Sequence, residues 1–184
     1  MKRRLLLCVT GIVSLAVFSV VARQTAADKP VAPAAKAQFE QLKKLAGDWS
    51  GKASHGDEEQ FDAAINYRVT AAGSAVMETL FGGTEHEMVT MYHLHGDSLV
   101  LTHYCALGNQ PRMKSLPSDD PKKLVFKFLD GTNFDASKDM HMHEATIELV
   151  SDEHIRSVWT SFDKGKPLMT AKFDLKRKDR KSVV

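Results

Sequence analysis

In the stretch "DMHMHEATIEL", residues 139–149, two histidines stand two positions apart at the head of an alternating apolar run. An imidazole can give one ring nitrogen to an ion or ligand while the other holds a hydrogen bond. On an extended chain, residues two apart share a face and lie about 6.6 Å apart along the strand. His141, His143, Ala145, Ile147 and Leu149 are therefore expected on one face, and Met142, Glu144, Thr146 and Glu148 on the other. The carboxylates mark the second face as outward. Two inward imidazoles can serve one metal ion, with His103 or His86 as candidate third ligand. The same pleat turns Met142 away, which argues against a mixed methionine and histidine copper site and leaves an all-histidine site open.

Other candidates carry different chemistry. His103 and Cys105 share a face of the run 98–106, the spacing a base-activated thiolate needs, although a buried free cysteine more often behaves as a small hydrophobe. Arg156, read through two-residue turns at Asp152-Glu153 and Lys164-Gly165, falls inward with Val158, Thr160 and Phe162, across from Phe173. A guanidinium there would suit a ligand carboxylate. One extra loop residue would instead bring Trp159 inward and leave Arg156 on the surface. Around the turn Gly96-Asp97, the pairing Tyr92 with Leu101 and Thr90 with His103 puts Tyr92, His103 and His86 inward and His93 and His95 outward. The loop "ALGNQPRM" (106–113) reads as a connection around an exposed Arg112. The acidic residues Glu58, Glu59, Glu85, Glu87, Asp119 and Asp120 sit at strand ends and turns, with no inward pair for acid–base work, so catalysis is not the favoured class.

The elements that must position these residues are short. After a helical pattern at 34–46, with Phe39, Leu42 and Leu45 on one face and Gly47 as its stop, the period switches to two. Strands are predicted at 48–55, 59–71, 75–81, 86–95, 98–106, 110–115, 122–129, 141–150, 154–163 and 167–177. Their separators are turn-like, including Gly82-Gly83, Gly96-Asp97 and Asp130-Gly131. Ten short strands with hairpin-length links point to an all-β fold, an antiparallel up-and-down barrel of about ten strands with a short N-terminal helix, because closure removes exposed edges.

The ends of the chain speak about compartment. Lys2, Arg3 and Arg4 precede an apolar stretch, Leu5 to Val21, followed by small residues. This predicts a signal peptide over 1–22, with cleavage as late as 27; the apolar stretch is borderline in length for a bilayer-spanning helix, so an uncleaved N-terminal anchor is the alternative. A linker follows over 23–35, then a barrel over 36–178 and a basic tail over 179–184. Removing three positive charges from a net +2 leaves 2 − 3 = −1, so no nucleic-acid partner is indicated. Of two cysteines, Cys8 leaves with the signal, and Cys105 alone cannot form an internal disulfide. A periplasmic or secreted protein without a membrane span after signal removal is expected.

The stretch "LKKLAGDWSG" (42–51) resembles the opening of the lipocalin and fatty-acid-binding-protein (calycin) barrels, a short helix or turn and then Gly-x-Trp on the first strand. The resemblance implies a basic residue on the last strand covering that tryptophan, which makes Arg177 the partner of Trp49 through a cation–π contact of ~1 kcal/mol. Residues 40–178, chiefly "MVTMYHLHGDSLVLTHYC…GNQPRM", also resemble exported bacterial lipocalin-like domains with no assigned activity. The resemblance implies fold and export, and no reaction. The leading expectation is non-catalytic binding of a small apolar or amphipathic molecule, with His103, His143, Arg156, Tyr92 and His141 as its polar contacts. A metal- or haem-binding barrel is one alternative; related nitrobindin-type barrels hold haem through a histidine. A barrel filled by its own side chains, acting as a structural or interaction domain, is the other.

Overall fold

The computed structural model describes residues 32–178; the expected signal peptide, most of the linker and the basic tail lie outside them. Helix α1 spans Pro33–Lys43, so the last residues of the expected linker form its first turn. Proline at the first helical position loses no hydrogen bond, since that N–H has no partner within a helix. Ala35, Phe39 and Leu42 form the buried face. Residues 44–46 tighten into i→i−3 bonds. Gly47 then leaves the helix at φ 131°, a conformation that side-chain-bearing residues rarely adopt.

Ten strands follow: β1 Gly47–His55, β2 Phe61–Thr70, β3 Ala75–Leu80, β4 Met88–His95, β5 Ser98–Tyr104, β6 Gln110–Leu116, β7 Lys123–Thr132, β8 His141–Ser151, β9 His154–Asp163 and β10 Lys166–Arg177. Each pairs antiparallel with its sequence neighbours, and β1 pairs with β10 to close the barrel. The expected architecture is the observed one. One turn is not where it was expected: Asp130-Gly131 lies inside β7. The chain turns beyond it, and Phe134 folds back onto Gly131 so closely that a Cβ there would meet the ring at 2.3 Å.

Trp49, Tyr67, Tyr92, Leu101, Phe126 and Ile147 are fully buried and fill most of the interior. The α1 end is sealed by sequence-distant parts of the chain. Trp49 Nε1 donates to Leu45 O at 2.8 Å, and the Arg177 guanidinium lies 4.2 Å from the centre of the indole. That guanidinium also donates to the carbonyls of Ala46, Lys44 and Asp152 at 2.8, 2.9 and 3.0 Å. Gln38 ties the helix to Leu116 O.

Two bulges flank β9. Leu149 pairs with Ile155 but Ser151 with His154, which leaves Val150 extra; Met169 pairs with Ser161 but Pro167 with Phe162, which leaves Leu168 extra. Each extra residue shifts side-chain parity by one. The two cancel for β10 and invert β9 between them. Ile155, Ser157, Trp159 and Ser161 are buried, not Arg156, Val158, Thr160 and Phe162.

Candidate functional site

At the barrel end opposite α1 the side chains leave a cavity of about 70 Å3. Its inner wall includes Glu78, His103, Trp159 and Phe173, all buried. Its rim holds the half-buried Met88, Met142, Met169, His55 and Phe81. Among the described residues no lysine or arginine lines it.

His103 stands opposite Thr90 in the expected register. It is 4 % exposed, and its Nδ1 lies 3.0 Å from Thr90 Oγ1. Its Nε2 is buried without a hydrogen-bond partner. The Trp159 ring lies 5.2 Å away. Burial pushes the imidazole pKa down to about 4, so the ring is neutral at physiological pH. An unpaired buried nitrogen costs about 1–3 kcal/mol, which makes Nε2 the most conspicuous polar feature of the cavity.

Glu78 is the residue that sequence reasoning missed. It is 2 % exposed, and the Tyr92 hydroxyl donates to its Oε2 at 2.5 Å. Tyr67 hydrogen-bonds the same carboxyl. Burial raises the carboxyl to about 7, against the opposing effect of the two tyrosine hydrogen bonds. Burial and the Glu78 charge together push both tyrosines well above their usual range. The signal was present in "AVMETL": Val76, Glu78 and Leu80 share a parity whose aliphatic members must face inward. Tyr92 lies inward, as expected, and its hydroxyl is committed to Glu78.

His141 and His143 form a separate cluster. The Asp139 carbonyl, 2.9 Å away, can only accept, so His141 Nδ1 carries a proton and donates to it. In a neutral ring His141 Nε2 then accepts from His143 Nδ1 at 3.0 Å. His143 lies between Phe162 and Phe128, with ring centres 3.9 and 4.7 Å away, and burial lowers its pKa. Neither imidazole lines the cavity. Met142 does, because the β8–β9 register shifts between Met142 and Glu144 and leaves His143 extra. The strict alternation that turned Met142 outward fails at that bulge.

Three further expectations are corrected. Arg156 is on the surface, its side chain 53 % exposed, with Nε 2.9 Å from Asp174; the β9 inversion put it there. His86 precedes β4 and is solvent-exposed beside Glu85. Cys105 lies just past β5, and burial raises its thiol pKa. Since His103 Nε2 has no partner and Nδ1 faces Thr90, no cysteine–histidine pair forms. Among the described residues no three histidine, cysteine, aspartate or glutamate side chains gather as a metal set. Haem does not fit the site: ligand pockets for drug-sized molecules run to roughly 300–1,000 Å3, several times the cavity observed.

No family model matches the chain, and no curated protein matches it in sequence. Among solved structures, a protein of unknown function of the DUF3598 family from Nostoc punctiforme is similar, with TM-score 0.53 and 15 % identity over 75 % of this chain. The matched part is 49 % of that protein, so this chain spans about half its length. Rv2717c from Mycobacterium tuberculosis is also similar, with TM-score 0.52 and 13 % identity over 82 % of this chain and all of the other. At such identities the likeness shows a shared fold alone.

Proposed function

We propose that the chain is an exported, lipocalin-like barrel that binds a small, mostly apolar guest at its open end without catalysing a reaction. The observation that carries this reading is the unpaired His103 Nε2, buried in a cavity whose other walls are mostly apolar apart from Glu78 and His55. A guest with one hydrogen-bonding group satisfies that nitrogen while its apolar part lies against Trp159, Phe173 and the methionine rim. Arg156 is outside, so the carboxylate-binding variant loses its cation, and the guest is better described as neutral or weakly polar. At about 70 Å3 the cavity takes only a few heavy atoms as it stands. Methionine side chains are unbranched and adaptable, so movement of the rim admits a longer one.

Native mass spectrometry of protein purified gently from its own secretory context tests the reading. The expected result is a chain beginning near residue 23, and at the latest at 28, with an excess mass that disappears on denaturation. An intact N terminus would count against cleavage and favour a signal retained as an anchor. A chain with no excess mass under any gentle condition would count against a resident guest and favour a barrel filled only by its own side chains.

A further inference from the structure

The cavity rim brings together three thioethers from three strands: Met88 at the start of β4, Met142 on β8 and Met169 on β10. Met142 is turned inward by the His143 bulge, whereas Met88 and Met169 follow the regular alternation of their strands. Behind them is the buried, unpartnered His103 Nε2. We propose that this cavity binds a single cuprous ion, with His103 Nε2 as the nitrogen ligand and Met88, Met142 and Met169 as sulfur ligands.

The chemistry of the donors selects the ion. Thioethers are soft ligands that favour Cu(I) over the harder divalent ions, and a neutral imidazole completes such a set. With Nε2 as the metal-binding nitrogen, His103 Nδ1 carries the proton and donates it to Thr90 Oγ1, 3.0 Å away. A hydrogen bond from the ring nitrogen that does not face the metal fixes tautomer and ring orientation in metal-binding histidines. Glu78 is buried in the same wall, and among the described residues no lysine or arginine lines the cavity to oppose a cation. A bare ion also suits a cavity of about 70 Å3 better than an organic molecule of many atoms.

The proposal goes beyond the organic-guest reading and does not depend on it. Its test uses the full chain with Cys8 and Cys105 replaced by serine, because a thiolate would itself capture the ion. Under anaerobic, reducing conditions the protein competes with the chromogenic chelator bicinchoninate for Cu(I). The expected result is withdrawal of one equivalent of copper. Replacing Met88, Met142 and Met169 together by leucine should weaken binding at least ~100-fold, and so should His103→Phe, while M77L/M91L on the outer surface leaves it unchanged. Leucine conserves volume, and such swaps usually cost less than about 1.5 kcal/mol each, so the metal-free variant should still unfold cooperatively. If the triple variant fails to fold, X-ray absorption of the copper-loaded parent decides instead, with a mixed sulfur and nitrogen shell expected. No competition by the parent, full affinity in the folded triple variant, or a shell without sulfur would each overturn the proposal.

Discussion

His103 and Glu78 face the same small cavity with opposite titration behaviour, and this gives the residue-scale predictions. Glu78 has its pKa raised from 4.5 to about 7 in the fold. Between those values the folded state holds the extra proton, so stability falls as pH rises through that window. His103 has its pKa lowered from 6.5 to about 4; there the unfolded chain holds the extra proton, so stability rises with pH from 4 to 6.5. The two effects offset each other between about 4.5 and 6.5. From about 6.5 to 7, only the Glu78 loss remains. Glu78→Gln should therefore remove the decline in urea midpoint between pH 6 and pH 8. An unchanged decline would mean that another group causes it. His103→Phe removes the orphaned nitrogen but leaves the buried Thr90 hydroxyl without its partner, so the two effects of about 1–3 kcal/mol largely offset and stability should stay within about 2 kcal/mol of the parent, read by the same denaturation. A loss of several kcal/mol would make His103 a core residue.

Much at the level of the elements was legible. Alternation and turn residues located ten strands to within a few residues, and the two-residue turn Gly96-Asp97 fixed the pairing of Thr90 with His103. The bulges were not legible. Val150, Leu168 and His143 have no composition that marks them as extra, because a bulge is decided by how two strands meet and not by one strand's residues. Hence strict alternation puts Arg156 inward and Met142 outward, and the one-residue offset that brings Trp159 inward, an alternative the sequence leaves open, is the arrangement observed. Glu78 was legible from parity and was overlooked because a lone carboxylate among aliphatics reads as an unlikely interior residue until its tyrosines are known. The corrected parity is testable. Arg156→Ala should leave the melting temperature nearly unchanged, as for an exposed ion pair, whereas Trp159→Ala should cost about 3–5 kcal/mol. Equal effects in thermal unfolding would contradict the inverted β9.

On the scale of the whole molecule, the two barrel ends are built differently. The α1 end is tied shut by Trp49 and by an Arg177 that satisfies three backbone carbonyls; the other end is ringed by adaptable methionines. Arg177→Ala should destabilise the barrel by about 2–4 kcal/mol, since charge-assisted hydrogen bonds and a cation–π contact are lost together. Arg177→Lys should recover little of this, because an ammonium cannot reproduce the planar fork; full recovery in thermal unfolding would argue against the geometry described. The open end is where binding is expected, and Trp159 beside His103 provides a reporter within it. The most direct measurement is a titration of the purified chain with a series of straight-chain alcohols of increasing length, following the emission that is lost in Trp159→Phe. Saturable changes that tighten with chain length up to a limit, and that weaken about 2–10-fold in His103→Phe as for one lost hydrogen bond, are the predicted result. The absence of saturable change at any chain length, or equal affinity in His103→Phe, would contradict a binding site anchored at His103.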